Sequence, residues 1–336
     1  MRKIRVAALI DTMNDQCSWY RALGPLNSMR RDYHDKIEIE FANKINPQDW
    51  HYLTDKDVLY VLRPWRKDQM AAIILARSLG VKVWVDYDDD FTADQECSWF
   101  KDVGASYNEF ARSSVKMAHA ITFSTPSIFN SYANIDPGIK NNSTLIRNGF
   151  DFHSFREEKP KEKRNRTIGW RGSETHDSDW AEVAREYIDS VNSKNISTYF
   201  YWGNPKHVSY HVKSKHFRYS IPQFHKYLFE DAHKIIVAPL LNTKFNRGKS
   251  NAAWIEGTAS GSIIVGRDLP EWQTPNCIRY KSPKDFKEAI FTAIDMTDHD
   301  AKIMANQGLE YLHEHYDLQK INKKRLDLLN NLVNTA

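Results

Sequence analysis

Cysteine is scarce in this sequence, and no apolar run is long enough to cross a bilayer. The three cysteines, Cys17, Cys97 and Cys277, are odd in number, far apart and outside any CxxC spacing. This pattern argues against a disulfide framework and against a zinc site, and it fits the reducing cytoplasm. The first residues lead directly into a strand-like run, and the segment before this run is too short for a signal peptide. We therefore expect a cytoplasmic protein with no membrane partner and no obligate protein partner.

Neither sign of charge is in large excess, because the formal net charge is only +4. Such a mild excess of basic residues permits an anionic partner without requiring one. The hydrophobic content of 41% and the aromatic content of 12% are high enough to exclude wholesale disorder. With 336 residues, the chain has the length of two domains of ordinary size.

One segment, from Lys206 to Tyr219, places lysine, arginine and histidine side chains among tyrosine and phenylalanine rings. Cations beside stacking faces suit nucleic acid, so double-stranded DNA is one partner that this segment allows. A solvated loop of mixed composition is the alternative.

Strand-like apolar runs alternate with helical patterns along most of the chain. Continuous runs such as Asp57–Leu62 are typical of buried parallel strands, and the alternation predicts βαβ units in doubly wound sheets. The charged stretch Arg156–Arg166 interrupts this pattern, since it contains a proline and has no apolar residue to bury. We predict an α/β protein with Rossmann-like domains over residues 1–155 and 167–315, a linker over 156–166 and a C-terminal helix over 316–336. The ligand site of such sheets is a cleft at the carboxyl ends of the strands.

The segment from Phe245 to Gly261 joins two strand-like runs through a loop with two cations and a glycine, followed by a short helical pattern. Ser250 or Asn251 can cap that helix, and Gly261 can end it. The start of a helix offers free amide groups and the positive end of the dipole, which together with the loop cations suit a diphosphate. Glu256, further along the helix, can then reach a sugar hydroxyl of the same ligand. The residues predicted to bind a nucleoside diphosphate here are Arg247, Gly248, Lys249, Ser250, Asn251 and Glu256.

The same loop also has a plainer interpretation, as an ordinary helix start with exposed basic side chains. The choice between these two interpretations stays open for the segment taken alone. A kinase or an ATPase loses its main support, because the spacing G-x-x-x-x-G-K-[ST] is absent around Lys249.

Four aspartates follow a strand-like run at Val83–Val85. Carboxylates this close repel one another, so their burial would require a neighbouring cation, a basic partner or a raised pKa. A strand followed by D-x-D also resembles the first motif of the haloacid-dehalogenase phosphatases. In that interpretation Asp86 would be the nucleophile, Asp88 the acid, and Ser124 would lie at the end of the next strand. The lysine and the later aspartate pair that this phosphatase fold needs have no convincing counterparts here. The four aspartates are Asp86, Asp88, Asp89 and Asp90.

Three segments, in the same order, resemble the retaining glycosyltransferases of family four, which have the GT-B fold. Leu145–Asp151 resembles the N-G-x-D turn that ends the first domain in that family. Gly169–His176 resembles a loop with an arginine and, five residues later, a lysine, and Arg247–Val265 resembles the donor-site helix with the strand after it. The resemblance covers nearly the full length. It implies two Rossmann-like domains that face a cleft, with the C-terminal helix packed back on the first domain.

The resemblance assigns donor-side roles to individual residues. Glu256 matches the second of the family's two glutamates and would hold the donor ribose, whereas Gly248 occupies the position of the first. Arg171 matches the arginine that contacts the diphosphate, and His176 stands where the lysine would be. Arg171 and Lys249 would be catalytic, because they would stabilise the charge on the leaving phosphate.

The first domain would present the acceptor. Asp88 and Asp89 would take a catalytic part by orienting the acceptor hydroxyl. The same aspartate loop, which includes Asp86, would hold Arg21 or Arg63 from neighbouring loops on the acceptor side. The alternative for any one of these aspartates is a solvated loop residue at the rim of the cleft.

The activity implied by the resemblance is sugar transfer from a nucleoside diphosphate sugar, expected to be a UDP-sugar, to an acceptor hydroxyl with retention. Side chains and helix amides would stabilise the leaving phosphate without a metal or another cofactor. Similar short chains occur in bacteriophage genomes, so a hydroxymethylated base in phage DNA is one candidate acceptor, and the location would then be the host cytoplasm. A surface glycan or a protein is the competing acceptor. A binding module for nucleotide sugars or nucleic acids, without activity, is a further alternative because the family's first glutamate is missing.

Overall fold

Two parallel β-sheets, each with six strands, form the framework of the described part of the chain. The computed structural model describes residues 2–12, 15–46, 48, 50–92, 104–209, 213–215 and 220–334, with the backbone alone at 104–107 and 213–215. The strands of the first sheet are β1 (Ile4–Leu9), β2 (Ile37–Ala42), β3 (Val58–Leu62), β4 (Lys82–Tyr87), β5 (Ala120–Phe123) and β6 (Ser143–Leu145). Those of the second sheet are β7 (Asn165–Gly172), β8 (Ser197–Trp202), β9 (Lys213–Lys215), β10 (His233–Ala238), β11 (Ile263–Arg267) and β12 (Cys277–Tyr280).

The order of the strands places a switch point in each sheet. The first sheet has the order β2-β1-β3-β4-β5-β6, and the second has the order β12-β11-β10-β7-β8-β9, with parallel pairing throughout these strands. In each sheet the direction of strand addition reverses at the first strand, between β1 and β3 and between β7 and β10. Ligands of open α/β sheets bind at such points, outside the carboxyl ends of the strands.

Helices cover both faces of each sheet. In β3, Leu59 and Val61 belong to the buried cluster on one face, and Val58 and Tyr60 belong to the cluster on the other. The second sheet is buried on both faces in the same way, which confirms the predicted doubly wound α/β class. The helices of the first half are α1 (Gln16–Ser18), α2 (Gly24–Asp32), α3 (Trp50–Thr54), α4 (Lys67–Ser78), α5 (Gly104–Met117) and α6 (Pro126–Ile135). The later helices are α7 (Asp177–Lys194), α8 (Ile221–Asp231), α9 (Lys244–Gly248), α10 (Ala252–Ala259), α11 (Pro283–Asp295), α12 (Asp298–His315) and α13 (Leu318–Asn334).

The helical region after β1 contains a π-helical turn, Trp19–Leu23, between α1 and α2. Gly24 closes this turn, because its amide donates to the carbonyl oxygen of Trp19 and a Cβ there would lie only 3.0 Å from that oxygen. Single π-turns often occur at functional sites, since the extra residue changes the direction of neighbouring side chains. This turn carries Arg21, whose side chain is fully buried.

Two helices from the second half of the chain pack on the first sheet. In α13, Leu326 and Leu329 join the buried cluster around β1 and β3. The amide of Asn322 donates to the carbonyl oxygen of Pro25 at 3.0 Å. In α9, Phe245 lies in the cluster on the other face of the first sheet. No helix among the described residues has the length and apolar character that spanning a bilayer demands.

Candidate active site

A pocket between the two sheets is lined by residues that follow strands at their carboxyl ends. After β1, β4 and β6 the first domain supplies Gln16, Cys17, Tyr20, Asp88, Asp89 and Asn148. From β7, β10 and the loop before α10 the second domain supplies Trp170, Arg171, His176, Leu240, Lys249 and Ser250. The switch points of both sheets therefore contribute to one pocket, which is the position expected for a ligand.

The predicted donor loop connects α9 to α10 and forms one wall of this pocket. Neither Ser250 nor Asn251 caps α10 with its side chain, so that expectation is wrong. The hydroxyl of Ser250 accepts from Asn148 Nδ2 at 2.8 Å, and Asn251 Nδ2 donates to Tyr316 Oη at 3.2 Å. As predicted, α10 ends just before Gly261, which has a φ of +82°. The first turn of α10 is thus left without a side-chain cap on the side that faces the pocket.

Lys249 lies at the pocket wall beside the aspartate loop of the first domain. Its Nζ is 3.8 Å from Asp89 Oδ1 and 4.9 Å from the centre of the Phe245 ring. Burial alone would lower the pKa of Lys249, but the charges of its neighbours, with Asp89 first among them, together outweigh burial and raise it, so the ammonium group stays charged. Arg247 is exposed, and its Nε donates to Asn242 Oδ1 at 2.8 Å. It does not line the pocket.

Gly248 lies against the first domain. Its carbonyl oxygen accepts from Thr125 Oγ1 at 2.8 Å. A Cβ at this position would meet Ile128 Cγ1 at 3.2 Å and Asp90 Cβ at 3.4 Å. A side chain here would begin in a tight contact with Ile128, which would have to move by a few tenths of an ångström.

Arg171 and Glu256 form an ion pair at the side of the pocket. Arg171 Nε lies 2.5 Å from Glu256 Oε2, and Arg171 also donates to the side-chain oxygen of Gln16. The other carboxylate oxygen, Glu256 Oε1, accepts from Tyr20 Oη at 2.8 Å and from Gln16 Nε2 at 3.2 Å. Arg171, predicted to contact the diphosphate, and Glu256, predicted to contact the ribose, therefore bind each other, and both also bind residues of the first domain.

A buried histidine completes this network. His225 Nε2 lies 3.1 Å from Tyr20 Oη and 3.6 Å from Glu256 Oε1. Burial alone would raise the pKa of Glu256, but the charge of Arg171 and the contact with His225 together lower it below its ordinary value. Glu256 is therefore an anion at neutral pH, ready to accept hydrogen bonds.

His176 lies where α7 begins and faces the pocket. Its Nδ1 is 2.7 Å from Asp179 Oδ2. The other oxygen of Asp179 accepts from the amide of Leu241 at 2.7 Å and from Asn246 Nδ2 at 2.9 Å. The histidine is thus held by a network that also fixes the loops after β10. Both the diphosphate role and the plain helix-start role predicted for His176 are compatible with this position.

The first-domain wall of the pocket is a cluster of Cys17, Asp88 and Asp89 beside Arg63. Arg63 Nε lies 3.4 Å from Asp88 Oδ1, which has no hydrogen-bond partner among the described residues. Burial raises the pKa of Asp88 to about 6, although Arg63 opposes this shift. Burial and the charge of Asp88 raise the pKa of the Cys17 thiol, so the thiol stays protonated. One ligand atom from each of Cys17, Asp88 and Asp89 lies within 4.8 Å of the others, a grouping that could hold a cation.

Arg21 and Asp86 lie deeper and are sealed from solvent. Arg21 Nε and Nη2 donate to the two oxygens of Asp86 at 2.8 and 3.0 Å, and Nη1 donates to the carbonyl oxygen of Ile146 at 2.7 Å. Thr122 Oγ1 donates to Asp86 Oδ2 at 2.7 Å. Both side chains of the pair have a relative exposure of 0%. Asp86 is therefore in no position to attack a phosphate ester, which argues against the phosphatase alternative.

Several pocket residues have no counterpart in the sequence-based site prediction. Gln16 and Tyr20 follow β1 at its carboxyl end, and Asn148 follows β6. Trp272 comes from the loop after β11. The rule that sheet ligands bind at the carboxyl ends of strands could have indicated Gln16 and Tyr20. Within the predicted nucleic-acid segment, residues 210–212 and 216–219 lie outside the described residues.

Solved structures share this arrangement of domains. HepE from Anabaena, in complex with UDP and glucose, is 12% identical with a TM-score of 0.64, and the match covers 98% of this chain and 100% of HepE. An α-glucosyltransferase in complex with UDP-glucose and DNA containing an abasic site is 13% identical with a TM-score of 0.65, over 98% of this chain and 100% of the other. A glycosyltransferase from Rickettsia africae is 10% identical with a TM-score of 0.65, over 100% of both chains. No protein-family model and no curated protein sequence matches the chain. The fold is therefore the GT-B fold.

Proposed function

We propose that this protein is a glycosyltransferase that takes its sugar from a nucleoside diphosphate sugar, with a UDP-sugar as the donor. The observation that carries the proposal is the pocket at both switch points, where Arg171 and Lys249 lie beside the start of α10 and Arg171 holds the buried carboxylate of Glu256. Cations and helix amides suit a diphosphate, and a buried carboxylate suits a ribose hydroxyl. UDP or UDP-sugar in the structures of proteins with the same fold supports this choice of donor.

Donor binding would exchange the partners of the Arg171–Glu256 pair. The diphosphate oxygens would replace Glu256 as the acceptors for Arg171, and the ribose hydroxyls would replace Arg171 as donors to Glu256. Lys249, beside the start of α10, would contact the same diphosphate. Because this exchange takes place on binding, the charges around the diphosphate would be in position before the chemical step, which limits the reorganisation needed at the moment of reaction.

The chemical step would break the bond between the anomeric carbon and the phosphate oxygen. The leaving nucleoside diphosphate takes the electron pair, and Arg171 and Lys249 stabilise the charge that develops on it. The oxygen of the acceptor hydroxyl forms the new bond to the anomeric carbon and gives its proton to the departing phosphate oxygen, and the ionised carboxylate of Asp88 or Asp89 orients that hydroxyl. Retention of the anomeric configuration follows from the resemblance to family four and belongs to the proposal.

The acceptor that we propose is a hydroxymethylated base in DNA, of the kind found in phage genomes. Two observations support it: the α-glucosyltransferase of the same fold was solved with DNA, and the Lys206–Tyr219 segment mixes cations with aromatic rings. A surface glycan or a protein is the second candidate. The proposed location, the cytoplasm of the host cell, rests on the cysteine content, and Cys17 and Cys277 are free thiols.

The donor is tested by a screen of nucleotide sugars in thermal shift, followed by an assay of nucleotide release. We expect stabilisation by UDP-sugars and slow release of UDP in the presence of the protein. Mass analysis of hydroxymethylated DNA incubated with the best donor should show one added sugar for each modified base, and unmodified DNA is the matched control. Unchanged mass with a glycan acceptor modified instead would move the acceptor to the second candidate.

A binding module without activity is distinguished by the same assay. Such a module would bind UDP in calorimetry but release none from UDP-sugars above the rate without protein. The assay should also include EDTA, because the Cys17, Asp88 and Asp89 cluster could hold a cation. We expect full activity in EDTA, since Arg63 and Lys249 already lie within 4 Å of these carboxylates.

A further inference from the structure

A second cavity, of about 320 Å³, lies behind the donor loop and has almost wholly polar walls. Both domains contribute to it, since Arg147 follows β6 and the loop after β11 supplies Glu271, Gln273 and Thr274. Tyr316, just after α12, and Lys324 of α13 close it. None of these residues has a part in the donor or acceptor roles described above.

The charges in this cavity favour an anion. Arg147 forms an ion pair with Glu271, which is the one carboxylate among the lining residues. Lys324 is exposed and has no ion-pair partner within the described residues. The lining therefore carries one more permanent positive charge than negative charge. An arginine and a lysine that converge on one polar cavity are suited to a phosphate group.

A buried hydroxyl in the same wall lacks a partner. Thr274 is only 8% exposed, and its Oγ1 makes no hydrogen bond within the described residues. Buried polar groups are nearly always satisfied by protein, water or ligand, because an unmet hydrogen bond costs free energy. The oxygen has less than 1 Å² of accessible surface in the free protein, so a ligand atom in the cavity would satisfy it only after a small shift of this wall.

We propose that this cavity binds a small phosphate monoester. The phosphate would contact Arg147, Lys324 and the hydroxyl of Thr274. The volume exceeds that of a phosphate ion, and the amide of Gln273 with the hydroxyl of Tyr316 offers partners for the polar remainder of a sugar. An apolar ligand is excluded because the walls have little apolar surface. The proposal does not depend on the identity of the donor.

The position of the cavity connects it to the donor loop. Tyr316 Oη accepts from Asn251 Nδ2 at 3.2 Å, and Asn251 immediately precedes α10. Arg147 is followed in the chain by Asn148, whose amide contacts Ser250 at 2.8 Å. One hydrogen bond thus joins a wall residue of the cavity to the loop that we propose for the diphosphate, and a second joins the chain neighbour of another wall residue to it. The cavity itself lies outside the pocket that would hold UDP.

Calorimetry on the full chain, with saturating UDP present to block the donor pocket, tests the proposal. The probes are ribose 5-phosphate, inorganic phosphate and ribose. We expect one molecule of ribose 5-phosphate to bind for each chain and ribose to show no binding. If ribose 5-phosphate and inorganic phosphate bind with equal affinity, the cavity binds the phosphate group but makes no use of the sugar. That outcome would support an anion site and contradict a site for a phosphate monoester.

The variants Lys324→Ala and Thr274→Val remove one partner each, and Lys323→Ala, at the exposed neighbouring position, is the matched control. We expect Lys324→Ala to weaken binding of ribose 5-phosphate about tenfold or more, with a smaller loss for Thr274→Val, since bonds to charged groups are the stronger ones. Lys323→Ala should retain the affinity of the unaltered protein. The proposal would be overturned by no binding of either phosphate, by ribose binding as tightly as ribose 5-phosphate, by competition with UDP, or by equal losses in Lys323→Ala and Lys324→Ala.

Discussion

The two domains each hold an arginine and a carboxylate together beside the pocket, and the two pairs differ in their surroundings. Arg21 and Asp86 are completely buried, and their hydrogen-bond partners all belong to the first domain. Arg171 and Glu256 belong to the second domain, yet Glu256 also accepts from Tyr20 of the first domain. The side chain of Arg171 is 11% exposed and lines the pocket.

The difference separates a structural pair from one that can change partners. A buried ion pair whose oxygens and N–H groups are all satisfied cannot release either member without leaving a charge unpaired. The Arg21–Asp86 pair meets this description and fixes the π-turn against β4. A pair at a pocket wall can exchange one partner for a ligand of the same charge. We therefore propose that Arg21 and Asp86 belong to the framework of the first domain, and that Arg171 and Glu256 bind the donor.

Replacement of the two arginines is the strongest test of this contrast. Arg21→Met should lower the free energy of unfolding by about 3–5 kcal/mol, because it leaves the carboxylate of Asp86 buried without its partner. Arg171→Met should cost clearly less, since Glu256 keeps Tyr20, Gln16 and His225 as neighbours. Denaturation in urea measures both, and Arg30→Met, exposed on α2, is the control. Equal losses for Arg21→Met and Arg171→Met would remove the distinction.

Lys249 should matter for transfer and little for folding. We expect Lys249→Ala to lower kcat by about 10²–10³-fold, because it removes a charge that stabilises the leaving phosphate. The exposed Lys244 of α9 provides the matched control, Lys244→Ala, with unchanged kcat. UDP release from the best donor is the measurement. Donor turnover and UDP affinity that both survive Lys249→Ala would place the diphosphate elsewhere.

Glu256 should act on the ribose alone. Glu256→Gln removes the charge that would accept from the ribose hydroxyls, so UDP affinity in calorimetry should fall by about tenfold or more, as expected for hydrogen bonds to a charged group. Pyrophosphate lacks the ribose and should bind Glu256→Gln at least as tightly as the unaltered protein, because the variant no longer competes for the charge of Arg171. A parallel loss for pyrophosphate would show that Glu256 acts through the position of Arg171.

The pH dependence of transfer should reflect Asp88. Burial raises the pKa of this carboxyl to about 6, so it is protonated below pH 6 and ionised above it. The ionised form is the stronger acceptor for the acceptor hydroxyl, so kcat/KM should fall below pH 6, by up to about tenfold for each pH unit, until it reaches the level of the protonated form. Because the pKa of Asp88 is higher in the folded protein than in the unfolded chain, Asp88 stabilises the fold at pH values below its unfolded pKa. This contribution to the free energy of unfolding is lost as the pH rises through 6. Asp88→Asn should have a low kcat/KM without this dependence, and an unchanged slope in the variant would exclude Asp88.

The sequence predicted the fold class because apolar periodicity depends on local spacing, which folding preserves. The runs that became β3, β4 and β10 were recognisable as buried strands, and the glycine that ends α10 was recognisable from its position. The expectation that the aspartate loop would hold Arg21 or Arg63 is confirmed, since Arg21 binds Asp86 and Arg63 lies beside Asp88. The pairing of Arg171 with Glu256 was not predicted, because these residues are 85 positions apart and no local pattern encodes such a contact.

The predicted cap of α10 failed for a physical reason. Ser250 and Asn251 are good capping residues in isolation, but both side chains find partners in other parts of the fold, Asn148 and Tyr316. Tertiary hydrogen bonds therefore override the local preference. The role of each aspartate after β4 also depended on burial, since Asp86 is sealed inside while Asp88 and Asp89 face the pocket.

A crystal structure of the complex with UDP is the most direct test of the account. We predict the diphosphate at the start of α10, in contact with Lys249 and Arg171, and the ribose hydroxyls on Glu256. Arg171 should have left Glu256, whereas Arg21 and Asp86 should stay paired as they are in the free protein. UDP bound outside the pocket between the two sheets, or bound with the Arg171–Glu256 pair intact, would contradict the account.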